Sequence, residues 1–151
     1  MRALIQRVKA ASVSVNENVH AKIEKGLLIF LGVKQGDAPK EAEYLAQRIA
    51  NLRIFSDENG NMNLSVKDIQ GSALVVSQFT LYADTHKGNR PSFTDAAPAE
   101  IAETLYLEFT KFLSQEIGQE KVKTGVFRAM MDIHLINDGP VTVMVESKNS
   151  Q

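Results

Sequence analysis

The chain has no cysteine, no tryptophan, four prolines and three histidines in 151 residues. Without cysteine there can be no disulfide, thiolate zinc site or cysteine nucleophile. The histidines, at 20, 86 and 134, show no His-x-x-x-His spacing, and there is neither a glycine-rich phosphate loop nor a Gly-x-Ser-x-Gly elbow. Metal-dependent hydrolysis and a Ser-His-Asp triad are therefore poorly supported, and neither a metal nor a cofactor is expected. No apolar run approaches the ~20 residues that span a bilayer. The start, Met1-Arg2-Ala3-Leu4-Ile5-Gln6-Arg7, turns polar too soon for a signal peptide, so a cytoplasmic protein without membrane contact is expected. A net charge of −1 speaks against a protein that coats nucleic acid, which requires a marked cationic excess. It leaves room for a small RNA footprint built on stacking and 2′-hydroxyl contacts. Lys87, Asn89 and Arg90 form the most suggestive cationic loop, although a solvated surface loop is the simpler reading.

The 44% of apolar residues can bury one core, and no linker or repeat marks a second, so a single domain over 1–151 is expected, with a disordered tail at 148–151. Ser12-Val13-Ser14-Val15 alternates with period two and Asn16-Glu17-Asn18 turns the chain, which reads as a hairpin with Val19 to Ile23. Gly26 to Val33 reads as a buried strand. Asp37 and Pro39 open a helix with Ala42, Leu45, Ala46, Ile49 and Leu52 on one face. Ser56 to Asn61 is turn chemistry, with Asp57 and Glu58 solvated, and Leu74 to Tyr82 reads as a further buried strand. A second helix is expected from about Pro98 to Ile117, its stripe formed by Ile101, Leu105, Phe109, Phe112 and Leu113, and stopped by Gly118. Val122 to Phe127, Ala129 to Ile136 and Val141 to Val145 read as strands, with His134 partly buried among Ile133, Leu135 and Ile136. Grouped strands with two separated helices indicate an α+β fold with largely antiparallel pairing.

Two distant stretches carry the functional signal: Ser77-Gln78-Phe79-Thr80-Leu81 and Asn137-Asp138-Gly139-Pro140-Val141-Thr142. The first reads as a strand bearing polar groups, the second as a turn whose X-Pro bond is the one peptide bond where cis costs only about 0.5–1 kcal/mol. In a regular strand Ser77 and Thr80 lie on opposite faces, so both line a pocket only if a bulge or strand end intervenes. No base stands near Thr80 in the sequence, which makes its hydroxyl a weak nucleophile. The economical alternative is that the Phe79 and Thr80 main-chain N–H groups bind an oxyanion. The sequence leaves both roles open.

Together these stretches resemble the D-aminoacyl-tRNA deacylases, in which a Ser-Gln-x-x-Leu and an Asn-x-Gly-Pro-Val-Thr stretch mark the active site. The resemblance takes in the amino terminus through Val8, Gly26-Leu27-Leu28, Leu52-Arg53-Ile54-Phe55 and Gly88-Asn89-Arg90-Pro91-Ser92-Phe93, essentially residues 1 to 146. It implies a sheet curled toward a barrel and hydrolysis of the ester joining a D-amino acid, or mischarged glycine, to the 3′ end of tRNA, assisted by the RNA 2′-hydroxyl. It further implies that Ser77, Gln78, Phe79 and Thr80 line the ester and terminal adenosine, and that Met131 and Ala102 lie near the pocket. Phe127 contacts the adenine or is a core aromatic; the two readings stand level. Asn137 belongs to the substrate-side set. The family is a homodimer in which the Gly139-Pro140 step enters the other subunit's site and its carbonyls exclude L side chains. Arg7 either holds that turn or makes a surface salt bridge. One departure stands out: Phe127-Arg128-Ala129 replaces the common Phe-Gly-Ala, and an outward Arg128 is the favoured reading. Rival functions are an editing module for L-aminoacyl-tRNA, which an intact Gly139-Pro140 opposes, and a nucleic-acid-binding protein without hydrolysis, which the balanced charge opposes.

Overall fold

The computed structural model describes residues 1–148; of the expected disordered tail, Lys148 is placed with its Nζ over the Tyr44 ring, and 149–151 lie outside the described residues. The sheet is organised by β1 (Arg2–Val15), which pairs along both edges. On one edge lie β2 (Asn18–Ile23) and β3 (Gly26–Gly32), both antiparallel to β1 and together matching nearly its full length. On the other lies β8 (Asp132–Glu146), also antiparallel. β6 (Ser72–Ser77) and β7 (Val122–Thr124) extend the sheet from β3 by two parallel pairings, so the sheet is mixed although antiparallel ladders dominate. β2 curls round to approach β6 and β7, nearly closing a barrel. A hairpin of β4 (Phe55–Ser56) and β5 (Met62–Leu64) stands apart, its turn organised by the Asp57 carboxylate, which accepts the Asn59 and Asn61 N–H groups.

Each face of the sheet carries its own core. Ala3, Ile5, Leu27, Ile29, Leu31, Ala73 and Val75 pack under α1 (Pro39–Ala50) and α2 (Ala99–Ile117). Val8, Ala11, Val13, Ile23, Leu28, Leu74 and Val76 fill the opposite, curled face. Strict alternation would put Val8 and Ala11 on opposite faces. An extra β1 residue between Val8 and Ala10, opposite adjacent Asn137 and Ile136, takes up the odd step and keeps both on the curled face.

Several expected elements differ in their ends. The strand expected to reach Tyr82 stops at Ser77, and Phe79–Tyr82 is a 3-10 turn. Ile101 is half exposed, and the buried stripe of α2 runs instead through Ala102, Leu105, Tyr106, Phe109 and Leu113. The strand expected through Phe127 ends at Thr124, and Ala129 to Met131 precede β8, because Arg128 takes a left-handed φ of 67°. Asn137 to Thr142 does not reverse the chain; both flanks pair with β1 inside one continuous β8. His134 and its neighbours Leu135 and Ile136 are exposed rather than partly buried, since β8 forms a sheet edge.

Tyr106 ties α2 to the sheet. Its hydroxyl is buried and donates to the Val75 carbonyl at 2.8 Å. Burial disfavours the phenolate and pushes its pKa up to about 12. A raised acid pKa means that the folded state holds its proton longer than the unfolded state, whose tyrosine titrates near 10. This contribution to stability is therefore complete below pH 10 and is lost as pH rises toward 12, by up to roughly 3 kcal/mol at ~1.4 kcal/mol per unit. Urea unfolding at pH 8 and 10.5 is expected to show a smaller alkaline loss in Tyr106→Phe than in the parent; equal losses would remove the phenol from the account.

Candidate active site

The signature stretch sits where a strand becomes a turn. β6 runs parallel to β3 with Ser77 opposite Leu31, and the last ladder bond is the Gln78 N–H to the Leu31 carbonyl at 2.8 Å. Leu81 donates back to the Gln78 carbonyl and Ala83 to that of Thr80, closing the 3-10 turn. The first N–H groups of such a turn have no acceptor within it. Those of Phe79 and Thr80 find no hydrogen-bond acceptor among the described residues. The turn presses on β3, where a Cβ at Gly32 would come within 3.1–3.2 Å of Leu81, Gln78 and Tyr82. Arg2 secures its far end: the guanidinium donates to the Leu81 carbonyl at 3.0 Å and lies 4.4 Å from the Tyr82 ring centre. Arg2 is a supporting residue that the sequence reading passed over; only its place in the amino-terminal stretch hinted at it.

Beside this turn opens an apolar cavity of about 630 Å³. Ser77, Gln78 and Phe79 form part of its wall, Ala102 comes from α2, and Phe127 and Met131 come from the segment before β8. Phe127 is at once a wall residue and packed on the core, its ring 5.8 Å from that of Tyr106. Among the described residues, no aspartate, glutamate or histidine lines the cavity, and its only side chains with polar heads are Ser77, Gln78 and Arg128. Thr80 lies outside the wall, and its hydroxyl accepts a hydrogen bond from the Gln78 amide. Arg128 is exposed and at the same time lines the cavity rim.

The second stretch lies elsewhere on the same chain: Arg7, Asn137, Gly139 and Pro140 take no part in the cavity wall. Between the pairs Gln6–Thr142 and Val8–Asn137, four residues of β8 face the single residue Arg7, so Asp138 to Val141 bulge out. Arg7 is buried, and its Nε lies 3.6 Å from the Asp138 carboxylate, so the ion pair forms with the arginine held inside. Its Nε donates to the Asp138 carbonyl at 3.0 Å and its Nη1 to the Ile54 carbonyl at 2.7 Å. Asn137 braces the bulge, its oxygen accepting the Val141 N–H at 3.1 Å and its amide donating to Thr142 Oγ1 at 3.0 Å. Gly139, at φ 127°, has no room for a Cβ, which would sit 2.8 Å from the Arg7 guanidinium. The Gly139–Pro140 peptide is cis, and Pro140 is exposed.

A nearly closed mixed barrel, two helices over one face and an apolar cavity beside a 3-10 turn define the architecture of a small single-domain protein. The family model described as D-Tyr-tRNA(Tyr) deacylase matches residues 4–146. D-aminoacyl-tRNA deacylases of Desulfatibacillum aliphaticivorans and Flavobacterium psychrophilum are 56% and 52% identical, over 98% and 100% of this chain and 100% of each relative. A solved structure titled c-Myc DNA Unwinding Element Binding Protein superposes with TM-score 0.93 at 43% identity, covering 97% of this chain and 99% of that one. A probable eukaryotic D-amino acid tRNA deacylase shares the fold, with TM-score 0.83 at 15% identity over 96% of this chain and 98% of that one. The chain belongs to the D-aminoacyl-tRNA deacylase family and is a hydrolase.

Arg128 provides a test of the local geometry. A non-glycine residue in the left-handed region costs roughly 1–2 kcal/mol, of which glycine's greater unfolded-state freedom offsets about half. Arg128→Gly is expected to stabilise the chain by about 0.5–1 kcal/mol in denaturant titrations, with little change in turnover if the side chain points outward. Much faster turnover and tighter tRNA binding in that variant would mean instead that Arg128 obstructs the cavity.

Proposed function

We propose that this chain is a cytoplasmic homodimer that hydrolyses the ester between a D-amino acid, or glycine, and the 3′-terminal ribose of tRNA, and that it rejects L-amino acids by exclusion. The observation that carries the reading is, among the described residues, a cavity wall without acid or histidine beside two main-chain N–H groups that lack acceptors. Water attacks the ester carbonyl carbon, the oxyanion takes the Phe79 and Thr80 N–H groups, and the carbon–oxygen bond to the ribose breaks. The water proton reaches the leaving ribose oxygen through the neighbouring 2′-hydroxyl, so the RNA supplies the acid–base group that the wall lacks. A preorganised donor of this kind is worth about 10²–10³ in rate.

Shape complementarity alone discriminates poorly between two hands of a small side chain, so a clash serves better than an attraction. In this reading Gly139-Pro140 of a second copy enters the cavity, and its carbonyls occupy the space an L side chain requires. Glycine escapes for want of a side chain. A penalty of about 5 kcal/mol would give nearly four powers of ten. Two features support the dimer: the bulge takes no part in the cavity wall of its own chain, and β8 leaves an edge that pairs with no strand among the described residues, carrying exposed Leu135, Ile136 and Met144.

Matched D-Tyr-tRNA and L-Tyr-tRNA at catalytic enzyme concentration test the reading. Loss of the D ester at least ~10³-fold faster than the L ester is expected. Loss of both would sink the exclusion argument, and loss of neither would favour nucleic-acid binding without hydrolysis. A fully active monomer in sedimentation would remove the second copy from the site. Thr80→Ala is expected to keep deacylation within about threefold of the parent, whereas a drop of 10² or more would transfer the role to the hydroxyl.

A further inference from the structure

Phe79 and Phe93 form an edge-to-face pair, ring centres 5.1 Å apart and planes at 67°. Both belong to the cavity wall, yet Phe79 is 54% and Phe93 38% exposed. Core aromatics are not left so open, and an edge-to-face pair leaves ring faces free to receive another flat group. The pair stands at the foot of a loop. Asp84 and Ser92 close that loop by reciprocal main-chain hydrogen bonds of 2.7 and 3.0 Å, directly after the 3-10 turn and directly before Phe93. Within the loop the acid is already engaged, the Asp84 carboxylate lying 2.7 Å from His86 Nδ1. Lys87 and Arg90 are exposed and form no ion pair among the described residues.

Free aromatic faces beside unpaired cations are the recognition elements of single-stranded nucleic acid, where base stacking supplies affinity and cations meet the backbone. Building on the proposed deacylase site, in which the cavity takes the aminoacylated terminal nucleoside, we infer that the Phe79–Phe93 pair stacks the base of the penultimate nucleotide, with Lys87 and Arg90 at the connecting phosphates. Phe93 is then a positioning residue: it holds the strand so that the ester reaches the Phe79 and Thr80 N–H groups, and it takes no part in bond breaking.

Two readouts test this inference separately from hydrolysis. In an uncharged dinucleotide with 2-aminopurine 5′ of the terminal adenosine, binding is expected to quench the 2-aminopurine fluorescence. Phe93→Ala should abolish the quench, while Phe93→Trp should keep it. The second readout is the ratio of kcat/KM for a D-aminoacyl dinucleotide to that for D-aminoacyl-adenosine. This ratio is expected to be about ten in the parent, consistent with one stacked base, and to fall toward one in Phe93→Ala, chiefly through KM. On D-aminoacyl-tRNA, replacing Lys87 and Arg90 by alanine should flatten the dependence of log(kcat/KM) on log salt by roughly 0.7 per cation. An unaltered quench in Phe93→Ala, or a parent ratio of one, would overturn the stacking step and leave the deacylase reading standing. A quench lost in Phe93→Ala, with no hydrolysis of either substrate, would uphold the stacking step and overturn the deacylase reading.

Discussion

The hydrogen bond from the Gln78 N–H to the Leu31 carbonyl is the last rung of the β3–β6 ladder, and the candidate site depends on its being the last. One residue later the chain leaves the sheet for a 3-10 turn, and the next two N–H groups lose the acceptors a continued strand would have given them. Close contact at Gly32 and the Arg2 guanidinium on the Leu81 carbonyl fix where the turn goes. The site is thus a property of backbone direction, set by packing from β3 and β1, more than of any side chain within it.

The same economy holds at the other motif. β1 is paired on both edges, so a surplus of residues in β8 cannot slip along the ladder and must bulge outward. Arg7 lies under that bulge and ties Asp138 to Ile54 through main-chain carbonyls, while Asn137 clasps its base. Buried guanidinium hydrogen bonds of this kind are costly to leave unmade, which makes the bulge a rigid projection.

Much of this was legible in the sequence where one period dominated. The β1–β2 hairpin and both helices announced themselves by alternation, by Pro39 at a helix start and by Gly118 at a helix end. The overrun of β6 to Tyr82 arose because Leu81 and Tyr82 are as apolar in a tightly packed 3-10 turn as in a strand. Asn-Asp-Gly-Pro carries the chemistry of chain reversal, but reversal or bulge is decided by what pairs with the flanks, and both flanks pair with β1. Ile101 and His134 were misplaced because a helix stripe can rotate by a residue and because an apolar neighbourhood on an edge strand is not yet a buried one. Of the expected site residues, Ser77, Gln78, Phe79, Ala102, Phe127 and Met131 meet at one cavity, whereas Arg7, Asn137, Gly139 and Pro140 form a separate projection and Thr80 turns away from the wall. The Arg2 anchor had no local pattern, since it acts across 79 residues of sequence.

The central claim is that main-chain donors, not side chains, meet the reacting carbonyl. A crystal structure with a non-hydrolysable amide analogue of D-aminoacyl-adenosine measures this directly. The account predicts the analogue's carbonyl oxygen within hydrogen-bond distance, about 2.7–3.2 Å, of the Phe79 and Thr80 nitrogens. A carbonyl held instead by the Thr80 hydroxyl or the Gln78 amide, with those nitrogens facing solvent, would contradict it.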